Sequence, residues 1–149
     1  MRLSISEIVK KAAEFKTDNE KIQWLKSNNT APLRTVLKFT YDKENIKFLI
    51  PDTPPPWKKN SYVGVEGMLY KEARRLRIFI AGGGYDNIDK VKRESLFISL
   101  LEDIDNNDAE LLCKMIAQKP LPGLPLKVVK AAFPEDYPTI VVDKQQDKE

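Results

Sequence analysis

Apolar residues recur along this chain at helical rather than strand spacing. Ile5, Ile8, Val9, Ala12 and Ala13 form one stripe, and Ser4 with Glu7 stands before it at capping-box spacing. In such a box the serine oxygen accepts an orphan helical N–H and the glutamate accepts the serine N–H. Thr17 with Glu20 repeats the spacing ahead of Ile22, Trp24 and Leu25. Asn29-Thr30-Ala31-Pro32 sets a polar cap and an early proline before Leu33, Val36, Leu37 and Thr40, with an end near Tyr41-Asp42. Ile46–Ile50 is short and apolar and suits either a helical turn or an extended stretch.

Pro51-Asp52-Thr53-Pro54-Pro55-Pro56-Trp57 then breaks regular structure, because proline carries no N–H for a ladder. Residues 51–64 are expected to cross the surface as an irregular arm, with Trp57 and Tyr62 as anchors. Glu66–Ala81 reads as one strong helix, with Leu69, Ala73, Leu76 and Ile80 on one side, stopped by Gly82-Gly83-Gly84. Asp89–Ile104 carries Phe97, Leu100, Leu101 and Ile104. Asn107 with Glu110 has capping-box spacing before Leu111, Leu112, Met115 and Ile116. Pro120-Leu121-Pro122-Gly123 is a turn. Leu124–Phe133 is a last short helix with Leu126, Val129 and Phe133 as its core stripe, ended by Pro134.

The two halves share an order of parts. A helix ending in Trp24-Leu25 or Leu100-Leu101 is followed by Asn28-Asn29 or Asn106-Asn107. A capped helix then opens with Ala31 and Leu33, or Ala109 and Leu111. Each half closes on an apolar segment and a proline, Pro51 or Pro134. The expected fold is all-α: a pseudo-duplicated bundle of about seven helices. It occupies residues 1–137 as a single domain, with the arm at 51–64 and a flexible acidic tail at 138–149.

Composition narrows the chemistry. With 149 residues and 42% hydrophobic content, one domain with a real core is affordable. No apolar run approaches the roughly 18–20 residues of a membrane span, and the start lacks a secretory apolar stretch. Cys113 is the one cysteine, so no internal disulfide forms, which suits a reducing compartment. Histidine is absent, which removes the commonest general base and zinc ligand. The Gly82-Gly83-Gly84 run lacks the lysine and serine or threonine of a phosphate loop. Glu102/Asp103 and Asp105/Asp108 flank helix ends, where carboxylates serve as caps. No catalytic residue, metal site or cofactor is expected, and the chain reads as a non-enzyme.

Charge is unevenly placed. The net charge is +3, yet Glu135–Glu149 carries five acidic residues against two lysines, leaving the body near +6. Between Leu111 and Pro134 there are four lysines, Lys114, Lys119, Lys127 and Lys130, and no acid. Lys127 and Lys130 are three apart and share a helix face, and Gly123 before them offers a bare backbone to a phosphate. A second cluster gathers Lys71, Arg74, Arg75 and Arg77 with Lys90, Lys92 and Arg93 beyond the glycines. If the flanking helices pack antiparallel, these charges meet at one end.

The order of parts resembles the N-terminal DNA-binding domain of T4-type ATP-dependent DNA ligases. The matching pieces are Glu20–Asn28, Leu33–Tyr41, Lys47–Pro51, Asp108–Leu112 and above all Gly123–Pro134, a glycine turn, a lysine-bearing short helix and a proline. The whole chain also resembles a family of small proteins from T4-like marine phages that carries no known function. The ligase likeness implies an all-helical domain gripping duplex DNA through the minor groove and backbone, with Gly123, Lys127 and Lys130 on the DNA face. No Lys-x-Asp-Gly nucleotidyl-transfer motif occurs, so ligation chemistry is not expected.

The leading expectation is therefore a non-catalytic phage module, in the cytoplasm of the infected bacterial host, that binds duplex DNA without strong sequence preference. Its contact set is Lys127, Lys130, Gly123, Lys119, Lys114, Arg74, Arg75, Arg77, Lys92 and Arg93. The alternatives are a protein-interaction module, using Pro54, Pro55, Pro56 and Trp57 against a phage or host protein, and a minor virion component.

Overall fold

A computed structural model describes residues 3–54, 56–60 and 68–137. Tyr62, Pro55 and the tail 138–149 lie outside the described residues. Among the described residues seven α-helices follow one another: α1 (Ile5–Glu14), α2 (Asp18–Ser27), α3 (Ala31–Tyr41), α4 (Met68–Glu72), α5 (Lys90–Asp103), α6 (Asn106–Ala117) and α7 (Leu126–Ala132). A 3₁₀ helix, Ala73–Phe79, continues α4, and a 3₁₀ turn, Pro134–Asp136, closes the described chain. The fold is all-α. Among the described residues the one β-type pairing is an isolated antiparallel bridge between Phe48 and Ile80.

The helix starts follow the sequence closely at the N-terminal end. Ser4 with Glu7 and Thr17 with Glu20 form complete capping boxes at α1 and α2. Thr30 caps α3 with Pro32 in its first turn. At α6 the cap is Asp105, whose carboxylate accepts from Asn107 and Asp108 N–H, rather than the expected Asn107. A carboxylate two residues upstream competes better for these donors than an amide already inside the helix.

Two helices depart from their expected extent. The described part of the segment read as Glu66–Ala81 is α-helical only to Glu72 and then tightens to 3₁₀. Its buried positions explain the change: Ala73, Leu76 and Phe79 recur every third residue, the period of a 3₁₀ face. Ile80 then leaves the helix and pairs with Phe48, with Leu49 N–H donating to Phe79 O at 2.7 Å and Ala81 N–H to Lys47 O at 2.8 Å. Ile46–Ile50 is thus the extended alternative. The last helix is shorter than Leu124–Phe133, and its buried side is Val128, Val129 and Ala132, while Leu126 is 37% exposed.

Packing sets the frame of the molecule. α2 packs most extensively on α7, α3 on α6, α1 on α2 and α5 on α6. Leu33, Val36, Leu37, Phe97, Leu100, Leu101, Leu112 and Met115 are fully buried at the centre. Gln118 ends α6 in the left-handed region (φ 52°), and its amide donates to Phe39 O and Ile46 O, tying α3 to the extended segment. The doubled order of helices in α2–α3 and α5–α6 is present, but the closing segments differ: extended after α3, helical after α6.

The arm is fastened where it is described. Lys58 N–H donates to Glu102 Oε2 at 2.7 Å, and the Asn60 amide donates to Glu102 O and Ile104 O. Asn60 also exchanges two hydrogen bonds with Asn106. The arm therefore caps the α5–α6 junction, and Trp57 packs half-buried against the core.

Candidate nucleic-acid interface

The expected contact residues fall into three groups. Lys127 and Lys130 are both exposed on α7, as their spacing implies. Lys127 Nζ, however, lies 3.1 Å from Asp18 Oδ2 on α2, so part of its charge is answered within the protein. Gly123 is committed to packing. Its φ is +76°, a Cβ there would sit 2.9 Å from Ala13 O, and its carbonyl accepts from buried Lys21 Nζ. Its bareness serves the approach of the turn to α1, while the residue stays exposed. Lys114 and Lys119 are exposed near the end of α6.

The second cluster divides. Arg93 is buried, 5% exposed, and its guanidinium donates to Ile78 O at 3.1 Å and Tyr85 O at 2.7 Å. It is a strut between the first turn of α5 and the end of the 3₁₀ helix, not a surface cation, which corrects its place in the contact set. Arg75 pairs with Glu72 at 2.8 Å. Lys71, Arg74 and Arg77 remain, exposed and three residues apart, with Arg74 and Arg77 one residue on from buried Ala73 and Leu76. None of the three makes an ion pair among the described residues. Residues three apart eclipse on a 3₁₀ helix, so Arg74 and Arg77 are aligned, and Lys71, in α4, precedes them at the same spacing.

The Arg93 strut brings the exposed Lys90 and Lys92 to the Arg77 end of that row. The glycines between them are shaped for the bend: Gly82 and Gly84 have φ of +78° and +98°, and a Cβ at Gly83 would meet Arg77 O at 2.1 Å. Asp86 and Asp89 also lie here, but their carboxylates accept backbone N–H groups, from Gly82 and from Val91 and Lys92.

Of the arm residues, Trp57 is turned to the core, Pro54 is half-buried and Pro56 is exposed. Cys113 is half-buried, and burial pushes its thiol pKa up, with a Trp57 hydrogen bond opposing. Asp105 and Glu102 act on backbone donors, as above, and Asp108 is fully buried. Among the described residues no group of three or more acidic or thiol side chains is placed to hold a metal ion, and no helix is long and apolar enough to cross a membrane.

One feature had no signal in the sequence. Between the start of α3 and the α4–3₁₀ ridge lies an open cleft of about 300 Å³, bordered by Thr35, Lys71, Ala73 and Arg74 among others.

Residues 8–121 match the model of a family of unknown function, DUF6433. The chain belongs to that family. The part matched to DUF6433 runs from α1 to the turn before α7 and so contains the Lys71–Arg77 row and the cleft, while Gly123, Lys127 and Lys130 lie beyond it. No curated protein and no solved structure matches the chain.

Proposed function

We propose that this DUF6433 member is a non-catalytic module that binds duplex DNA through its phosphates, without strong sequence preference. The observation that carries the reading is the row Lys71, Arg74 and Arg77, exposed, evenly spaced and unanswered by carboxylates among the described residues. At about 1.5 Å of rise per residue in α4 and about 2 Å in the 3₁₀ helix, the row runs roughly 11 Å. A DNA strand presents one phosphate per roughly 3.4 Å of axis, so three or four fall within that length. Lys90 and Lys92 extend the positive surface, and Lys114, Lys119 and Lys130 are further exposed cations.

Contacts of this kind position a protein without reading bases. The likeness to a ligase DNA-binding domain rests on the sequence pieces alone, and within the proposal it supports a stand-alone relative of such a domain. A phage origin, action in the host cytoplasm and an accessory role beside replication or transcription machinery belong to the same proposal.

The test is a titration of fluorescent duplex DNA at low salt with wild type, Arg74→Glu/Arg77→Glu and Lys127→Glu/Lys130→Glu. The first double variant is expected to weaken binding at least tenfold and the second less. Equal binding by wild type and Arg74→Glu/Arg77→Glu would remove the row. Absence of binding by wild type would remove DNA, and capture of a phage or host protein would then favour the interaction-module alternative.

A further inference from the structure

Tyr85, Val91 and Leu126 are the large apolar side chains that stand exposed among the described residues, and two of them share the Arg77 end of the basic row. Tyr85 is 43% exposed and Val91 75%. Tyr85 follows Gly82-Gly83-Gly84, and Arg77 Nε donates to Gly83 O at 3.2 Å, so the last cation of the row reaches the same loop. Val91 stands between exposed Lys90 and Lys92 in the first turn of α5, and Arg93, two residues on, donates to Tyr85 O. The loop is held from within as well. Gly82 N–H donates to both Asp86 carboxylate oxygens at 3.0 Å, and Ile88 N–H to Tyr85 O at 3.2 Å. Among the described residues the Tyr85 ring packs on no other ring and under no cation. A fixed loop therefore presents an open aromatic face at little ordering cost. A second copy of the chain would set Arg77, Lys90 and Lys92 against like charges, because a two-fold contact brings a patch onto itself. A nucleic-acid strand instead offers phosphates to the cations and base faces to the ring.

We propose that Tyr85 stacks on an unpaired base next to the phosphates held by Arg77, Lys90 and Lys92, so that the protein favours duplex DNA bearing a single-stranded extension. Val91 adds an apolar contact between the two lysines. The proposal rests on the DNA reading, because the row supplies the phosphate contacts that bring the base to the ring. Inside a duplex each base is already stacked on both faces, so paired DNA engages the cations alone.

The full chain is titrated at low salt with a fluorescent, fully paired duplex, with the same duplex bearing a single-stranded extension, and with one whose extension carries the same phosphates but lacks bases. The wild type is expected to bind the base-bearing extension about tenfold more tightly than the abasic one. Tyr85→Ala is expected to remove that preference and leave binding of the paired duplex unchanged, and Tyr85→Phe to keep it; Tyr85→Leu is the second ring-deleting variant if Tyr85→Ala does not fold. Equal binding of the two extensions by wild type overturns the proposal and, with the paired duplex still bound, leaves the DNA reading standing. A preference that survives in Tyr85→Ala overturns the assignment to Tyr85. Absence of binding to all of these DNAs overturns the DNA reading and this proposal with it.

Discussion

Asp108 Oδ1 accepts the backbone N–H of Ser6 at 2.8 Å, so a residue in the first turn of α6 caps α1 across the core. Ser6 is one of the orphan donors left at the start of α1 after Ser4 has capped Glu7 N–H. The contact costs something, because Asp108 is 0% exposed and its Oδ2 has no partner. Burial raises its pKa to about 6, opposed by the Ser6 hydrogen bonds and assisted by the charges of Asp105 and Glu7.

From this follows a pH dependence of definite sign. With a folded pKa above the unfolded value of 3.8, the native state binds more protons between about 4 and 6. The contribution of Asp108 is therefore most favourable below that window and is lost as pH rises through about 6, by roughly 2–3 kcal/mol. Asp108→Asn keeps an acceptor for Ser6 and removes the titration. Urea unfolding at intervals across the window should show the wild type losing stability relative to Asp108→Asn; parallel profiles would count against this account.

Gly123→Ala separates packing from contact. A side chain there needs φ near +76° and presses on Ala13, so a loss of about 2 kcal/mol is expected. Thermal unfolding measures the loss, and DNA affinity of the folded variant should equal wild type. Lowered affinity with unchanged stability would instead place Gly123 in direct contact with DNA.

Arg93 and Lys92 are neighbours in sequence with opposite roles. Arg93→Ala leaves Ile78 O and Tyr85 O without their donor and is expected to cost about 3 kcal/mol. Lys92→Ala, at an exposed site, should change stability by no more than about 0.5 kcal/mol. Chemical denaturation of the two variants side by side checks the contrast, and similar losses would contradict it.

Much of the fold was legible because its signals are local. Ser4/Glu7, Thr17/Glu20 and Thr30-Ala31-Pro32 fix three helix starts within four residues each, and the glycines stop a segment where φ turns positive. The tightening to 3₁₀ was only half legible: Ala73, Leu76 and Phe79 show a period of three, but Leu69, Ala73, Leu76 and Ile80 read equally well as an α-helical face. The site was less legible, since exposure is a tertiary property. Lys127 meets Asp18, Lys21 meets Gly123, and Arg93 turns inward to carbonyls, all through packing that residue type and spacing do not encode. The cleft is formed by α3 and α4, which are far apart in the chain.

The most direct measurement of the central claim is the salt dependence of duplex DNA binding by the wild-type chain. Three phosphate contacts predict a slope of log affinity against log salt of about −2.7, and hence a loss of roughly 40-fold between about 50 and about 200 mM salt. In Arg74→Glu/Arg77→Glu the slope should fall to about −1. A wild-type slope near zero, or one that the double substitution leaves unchanged, would contradict the account.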